Sequence, residues 1–172
     1  MKRIAIFTAL SLALPLAVAL AQTTNTPQQK GDSADATFVQ KAGEGGMAEV
    51  ELSKIAESNA KSADVKKFAA QMVHDHTANN KELATIAAKE NIQVPKSLDA
   101  EHAALRDKLK AMKGADFDRE YVDAMRNDHK KMDELLKSSE STVTSEDLRT
   151  FIKKTDPVVE HHLSMAQNLK TE

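Results

Sequence analysis

The chain has 172 residues, of which 24 are basic and 26 acidic, and it contains no cysteine. Without cysteine the protein has no disulfides and no thiolate ligands or nucleophiles, so any chemistry depends on histidine, carboxylate and methionine side chains. The slightly acidic balance argues against a nucleic-acid partner, because neutralising phosphates requires a basic face.

The first 21 residues are typical of a secretory signal peptide. Two basic residues, Lys2 and Arg3, precede an apolar run over residues 4–20, and the segment ends in Ala-Leu-Ala, the small-x-small pattern of a cleavage site. The alternative is an uncleaved membrane anchor. Because no cysteine follows the run, an anchor of the lipoprotein type is excluded. We therefore expect export to the periplasm or cell envelope.

Downstream of the signal, composition divides the chain into two parts. Residues 22–32 are polar and are expected to form a flexible leader. Residues 33–170 are expected to form one helical domain with one core. Removing Lys2 and Arg3 leaves 22 basic against 26 acidic residues, a net charge of about −4 for the mature chain. No transmembrane span is expected after the signal is removed.

Two long helices are predicted in the first half of the domain. The first covers about Ser33–Ala60, and the second runs from a Ser62 cap to about Glu90. Alanine, lysine, glutamate and leucine dominate both segments, as is typical of helices. Their apolar positions recur with helical spacing: Phe38, Ala42, Leu52 and Ala56 in the first, and Val65, Phe68, Met72, Leu83 and Ile86 in the second.

A short helix and two more long ones are predicted in the second half. The short helix covers Leu98–Met112 and is expected to stop at Gly114, since glycine favours helix C-termini. The third long helix covers about Ala115–Ser141. The fourth runs from a Ser145 cap to about Leu169.

The lengths of the connections predict how these helices pack. Helices one and two, and helices three and four, are joined by only a few residues, which makes each pair antiparallel neighbours. The connection between helices two and three exceeds twenty residues and carries the short helix, enough to cross one end of a bundle. The fold class is therefore all-α, an antiparallel four-helix bundle with a short extra helix in the helix 2–helix 3 connection.

Each long helix also places an ionisable side chain on its apolar face. At 100° per residue, Glu49, His76 and His162 fall within the apolar stripes of the first, second and fourth helices. On the third helix, Asp128 lies within the stripe and His129 at its edge. Counting residues from the turns puts these groups at one level of the bundle, to within one helical turn.

Such a cluster predicts a metal site in the core. Buried ionisable groups are costly unless something satisfies them, and a divalent transition metal (Fe, Mn, Zn or Cu) accepts histidine and carboxylate ligands. Asp75 is expected to hold a ring N–H of a ligating histidine. The alternative is a metal-free network of buried histidine–carboxylate hydrogen bonds. The candidate ligands are Glu49, His76, Asp128, His129 and His162.

Several short motifs carry a resemblance to a known family. They are Phe38-Val39, Gly46-Met47-Ala48-Glu49-Val50, Met72-Val73-x-Asp75-His76, Phe117-Asp118-x-x-Tyr121, Asp128-His129, and Pro157 followed by His162. Over about Ala34 to Leu169 the chain resembles the exported bacterial family known as domain of unknown function 4142, often labelled predicted outer membrane proteins. The resemblance implies a ferritin-like bundle in the cell envelope, without a settled activity.

The chain departs from the ferritin-like di-iron pattern, which needs Glu-x-x-His on two helices. Val73, Arg126 and Val159 stand three residues before the inward histidines, so no such motif exists. We therefore expect a single-metal site in a periplasmic bundle that is non-enzymatic or weakly redox-active. The alternative function is a structural or stress-related interaction module of the envelope, with a metal-free polar core and an envelope protein as partner.

Overall fold

A computed structural model of the protein describes residues 33–171 and contains five α-helices in this range, with no β-strand among them. The predicted signal peptide and leader lie outside the described residues. The prediction of an all-α fold is confirmed. The helices are α1 (Ala34–Asn59), α2 (Ala63–Lys89), α3 (Ala100–Ala111), α4 (Gly114–Ser139) and α5 (Glu146–Asn168).

Serine side chains define where three of the long helices begin. Ser33, Ser62 and Ser145 precede α1, α2 and α5, and each hydroxyl accepts a hydrogen bond from the main-chain N–H three residues further on. These bonds satisfy amides that have no partner inside the helix, and each typically contributes about 1 kcal/mol. The caps predicted at Ser62 and Ser145 are therefore present in the structure.

The four long helices form a bundle made of two antiparallel hairpins. α1 pairs with α2 and α4 pairs with α5, while α1 also packs on α4 and α2 on α5. α3 lies against α1 and α4 on the outside of the bundle. This arrangement confirms the predicted four-helix bundle with a short extra helix in its long connection.

The long connection runs along the bundle, whereas the sequence predicted that it crosses one end. α2 finishes next to the start of α5, where Ser145 donates a hydrogen bond to Glu90 at 2.9 Å. α4 begins at the opposite end, where Gly114 bridges to Ala60 after α1. Gly114 has φ +72°, a left-handed conformation that favours glycine, and it is the first residue of α4. The lengthwise crossing makes every neighbouring pair of long helices antiparallel.

A buried aspartate of one hairpin fixes the turn of the other at each end of the bundle. Asp118 of α4 accepts hydrogen bonds from the main-chain N–H groups of Lys61 and Ser62, at 2.9 and 2.8 Å. Asp35 of α1 accepts from both the main-chain N–H and the hydroxyl of Thr144, each at 2.6 Å. Charged acceptors make strong bonds to such orphan donors, so the two hairpins are locked in register.

The apolar core consists of two clusters, one toward each end of the bundle. One cluster is centred on Phe38, Leu136 and Phe151. The other is centred on Phe68 and Tyr121. On each long helix a short stretch separates the two clusters, and these stretches hold the buried polar side chains of the candidate site. None of the helices in residues 33–171 is long and apolar enough to cross a membrane.

Candidate metal centre

Three histidines from three helices meet between the two apolar clusters. His76 of α2, His129 of α4 and His162 of α5 each offer a ring nitrogen, and these nitrogens all lie within 4.8 Å of one another. The three residues are only 3%, 0% and 1% exposed. Their ring centroids are 5.1 to 5.6 Å apart. The arrangement is a compact, buried cluster of imidazoles.

Helical spacing places two of these histidines on the core face. His76 follows Met72 by four residues, and His129 follows Met125 by four; both methionines are fully buried. Residues four apart lie on the same side of a helix, so each histidine extends the apolar stripe by one turn. The same spacing that builds the core therefore directs the imidazoles inward.

The outer nitrogen of each ring faces a hydrogen-bond acceptor. His162 Nε2 lies 2.9 Å from Asp75 Oδ2, and His129 Nδ1 lies 2.8 Å from the main-chain carbonyl oxygen four residues earlier. His76 Nδ1 lies 2.8 Å from Glu49 Oε2. Carboxylates and carbonyls can only accept, so each outer nitrogen carries the proton in the neutral tautomer of its ring.

That tautomer leaves three nitrogen lone pairs pointing at one another. His76 Nε2 and His162 Nδ1 are 3.2 Å apart. His129 Nε2 is buried without a hydrogen-bond partner in the described part of the chain. Two lone pairs at this separation repel unless a positive charge lies between them, which can be a proton or a metal ion.

Glu49 supplies a buried negative charge beside the histidines. The residue is 1% exposed, and its Oε1 lies 3.6 Å from His129 Nδ1. Neither oxygen receives a well-aligned hydrogen bond from a described group, so the 2.8 Å contact with His76 is an ion pair. Burial opposes ionisation, but electrostatic attraction to the neighbouring histidines, His76 foremost, outweighs it and lowers the pKa of Glu49 to about 2.

The pKa values of His76 and His162 are shifted in opposite directions. Burial works against protonation of His76, yet the adjacent Glu49 carboxylate raises its pKa. Burial and the positive charge of His76 lower the pKa of His162 to about 4. The two shifts therefore favour a proton on His76, with His162 as the acceptor in the 3.2 Å contact.

Asp75, predicted to orient a ring N–H, lies against His162 in the structure. Its other neighbours are His74, whose Nδ1 is 2.8 Å from Oδ1, and Gln71, whose Nε2 donates to Oδ2 at 2.6 Å. Burial raises the pKa of Asp75, but these three hydrogen bonds outweigh it and lower the pKa to about 2. Asp75 is therefore an ionised acceptor.

Asp128, one of the candidate ligands, lies away from the three histidines. Its neighbour His129 points into the core, and a helix turns about 100° per residue, so Asp128 faces α3. There its Oδ2 is 3.7 Å from His102 Nε2, and His102 Nδ1 is 2.5 Å from Asp99 Oδ2. His102 was missed in the sequence, although Asp99-x-x-His102 is typical of a helix N-terminus. Asp128 therefore does not belong to the three-histidine centre. It forms part of a separate group, in which His102 lies between the carboxylates of Asp128 and Asp99.

The His102 contact predicts a pH-dependent contribution to stability. The Asp128 carboxylate, together with Asp99, raises the pKa of His102 from 6.5 to about 9 against the effect of burial. The stabilisation is therefore fully present below pH 6.5 and is lost as the pH rises through about 9. Urea unfolding of the wild type and of His102→Gln should differ most near pH 6 and converge near pH 10. A difference that does not change over this range would contradict the assignment.

A cluster of acidic side chains lies on the surface between α4 and α5. Asp133, Asp156 and Glu160 place carboxylate oxygens within 4.8 Å of one another. Lys137 Nζ lies 2.7 Å from Asp133 and 2.8 Å from Glu160. The lysine offsets part of this negative charge, so the cluster is an ion-pair network.

Comparison with known proteins places the chain in a family. The family model described as domain of unknown function (DUF4142) matches residues 20–169. No curated protein matches the chain. The resemblance drawn from the sequence motifs is therefore confirmed.

Two crystal structures of DUF305 proteins share the fold. The protein from Streptomyces coelicolor, described as a candidate secreted protein, is 15% identical with a TM-score of 0.68, covering 79% of this chain and 89% of its own. A fragment from Deinococcus radiodurans is 10% identical with a TM-score of 0.69, covering 78% of this chain and 93% of its own. At such low identity the likeness shows the fold alone. By the match over residues 20–169, the protein belongs to the DUF4142 family.

Proposed function

We propose that the protein binds one divalent transition-metal ion through His76, His129 and His162. The observation that carries the proposal is the polarity of the three rings: each outer nitrogen faces an acceptor, and the inner nitrogens converge, with His129 Nε2 left without a hydrogen-bond partner among the described residues. Metal-ligating histidines are typically held in this way, because the outer hydrogen bond fixes the tautomer and the ring orientation.

The separation of two of the inner nitrogens suits a tetrahedral ion. With metal–nitrogen bonds of 2.0–2.1 Å, two ligands of a tetrahedral ion are about 3.3 Å apart. His76 Nε2 and His162 Nδ1 are separated by 3.2 Å. His129 Nε2 would supply the third ligand, which leaves a fourth position for solvent or a small exogenous ligand.

The charges around the cluster also suit a divalent ion. Three neutral imidazoles contribute no charge, while Glu49 and Asp75 are both ionised and each contacts one of the rings. In this proposal Glu49 orients His76 instead of binding the ion, and Asp128 takes no part. Imidazole ligands suit zinc, copper and iron better than manganese, which prefers oxygen.

Export completes the proposed role. The signal-like residues 1–21 would direct the chain to the periplasm or cell envelope, where the bundle binds its metal as a non-enzymatic protein. The proposal assigns it no organic substrate.

A second candidate function is a structural or interaction module of the envelope with a metal-free core. The observation that favours it is the 3.2 Å contact itself, which can be an N–H···N hydrogen bond from protonated His76 to neutral His162. The opposite pKa shifts of the two rings suit a donor and an acceptor. This alternative predicts that the apo protein does not bind added metals and that its partner is another envelope protein.

Calorimetric titration separates the two candidates. Chelator-stripped mature protein, prepared without a His tag, should bind one equivalent of Zn²⁺ or Cu²⁺ with release of protons, since the ion displaces the shared proton. His129→Ala should lose this site, while His102→Gln, a matched change outside it, should keep one equivalent. Circular dichroism establishes that both variants are folded. Absence of binding by the wild type, or an unchanged stoichiometry in folded His129→Ala, would refute the metal site.

A further inference from the structure

We infer that the metal enters the buried site through the α2–α5 face, by way of His74, Asp75 and His161. This inference rests on the proposed function, since it requires the three-histidine site to bind a metal. It assigns to three residues outside that site a role in capturing a hydrated divalent cation from solvent.

Within residues 33–171, Asp75 is the only side chain in contact with the outer nitrogens that reaches solvent. The side chain of Glu49, which contacts His76, is 1% exposed, and the acceptor of His129 is a main-chain carbonyl inside α4. The side chain of Asp75 is 22% exposed. Among the described residues, the shortest chain of ligand-type groups from the site to the surface therefore passes through Asp75.

The two oxygens of Asp75 face opposite ways along this route. Oδ2 lies 2.9 Å from His162 Nε2 at the inner end. Oδ1 lies 2.8 Å from Nδ1 of His74, whose side chain is 83% exposed. Asp75 thus connects a buried imidazole with a solvent-facing one across a single carboxylate.

A surface groove opens beside this carboxylate. The groove lies between α2 and α5, has a volume of about 670 Å³, and includes Gln71 and His161 in its lining. Gln71 donates a hydrogen bond to Asp75 Oδ2 at 2.6 Å, and the ring centroid of exposed His161 is 6.3 Å from that of His162. Solvent therefore reaches Gln71 and His161, which lie next to Asp75 and His162, and it also reaches exposed His74 on the other side of Asp75.

These groups suit the stepwise dehydration of a transition-metal ion. His74, Asp75 and His161 offer nitrogen and oxygen ligands to a cation that still holds water, and a swing of the His162 ring would pass the ion inward. The opposite approach is less suitable. The cavity beside Glu49 measures only about 20 Å³, room for about one water, and is lined toward solvent by the neutral side chains of Asn79 and Asn80.

Uptake kinetics test the route separately from the site. Apo wild type and a His74→Ala/His161→Ala double variant would be mixed with Zn²⁺ in a stopped-flow instrument, with a chromophoric zinc chelator reporting free metal. The double variant should take up zinc several-fold more slowly, because the two exposed imidazoles that would bind the ion first are absent. Its equilibrium stoichiometry should stay at one, since neither residue binds the ion at the buried three-histidine site.

His102→Gln, which removes a histidine on the α3 side, is the matched control and should load at the wild-type rate. Loading of the double variant at the wild-type rate, with one equivalent bound, would overturn the entry route and leave the metal site intact. If no protein in the series binds zinc, the proposed function itself fails, and the inference fails with it.

Discussion

Saturating Zn²⁺ is expected to raise the melting temperature of the apo protein by roughly 10 °C. A ligand that binds only the native state at a thousandfold excess over its Kd stabilises by about 4 kcal/mol. For a domain of this size each kcal/mol shifts the melting temperature by about 2–4 °C. The gain should be large because the ion replaces one shared proton with bonds to three buried nitrogens.

Differential scanning calorimetry with and without zinc measures this shift. The same scan on His76→Ala/His162→Ala should show no gain, because one remaining imidazole does not hold the ion. His74→Ala/His161→Ala, which removes two exposed histidines near the site, should retain the full gain at equilibrium. A wild-type melting temperature that zinc leaves unchanged would favour the metal-free core instead.

Replacing Glu49 by alanine is expected to destabilise the apo protein by about 3 kcal/mol. Removing one partner of a buried ion pair costs about 3–5 kcal/mol, because the other charge remains buried and unpaired. His76 can avoid part of that cost by losing its proton, which places the effect near the lower limit. Urea unfolding at pH 7 measures the difference.

Glu57→Ala is the matched control, since Glu57 lies on α1 and is exposed. Its effect should stay within about 0.5 kcal/mol, as for most surface changes. Glu49→Gln tests the charge itself: it keeps the size of the side chain but not its attraction for protonated His76. An effect of Glu49→Ala no larger than that of Glu57→Ala would contradict the buried ion pair.

The helices and their core faces could be predicted because they depend on local pattern. Helical spacing of residues such as Phe68 and Met72 identified the inner stripes, and Ser62 and Ser145 marked helix starts. The same periodicity singled out His76 as a polar residue among apolar ones. These properties depend on residues within a single helix, so they can be predicted directly from the sequence.

The path of the long connection could not be predicted in this way. Residues 90–113 are long enough to cross one end or to run the length of the bundle, and tertiary contacts such as Ser145–Glu90 decide between the two. His76 and His129 were predicted to lie level on the assumption that the connection between their helices crosses one end of the bundle, and that assumption is wrong. The two residues still lie level, because each stands near the middle of its helix.

The roles of individual polar groups were also beyond the sequence. Helical periodicity predicted that the carboxylates of both Glu49 and Asp128 point into the core. In the structure Glu49 contacts His76, whereas Asp128 contacts His102 of α3. The difference comes from the packing of α3 against α1 and α4, which no single helical pattern contains.

X-ray absorption spectroscopy of the zinc-loaded mature protein tests the three-histidine site most directly. The multiple-scattering pattern of imidazole counts histidine ligands, and we expect three, at 2.0–2.1 Å, with one solvent or small exogenous ligand completing the shell. The spectrum of His129→Gln should lose one imidazole or all bound zinc. A shell dominated by oxygen, with one imidazole or none, or a protein that retains no zinc after gel filtration, would contradict it.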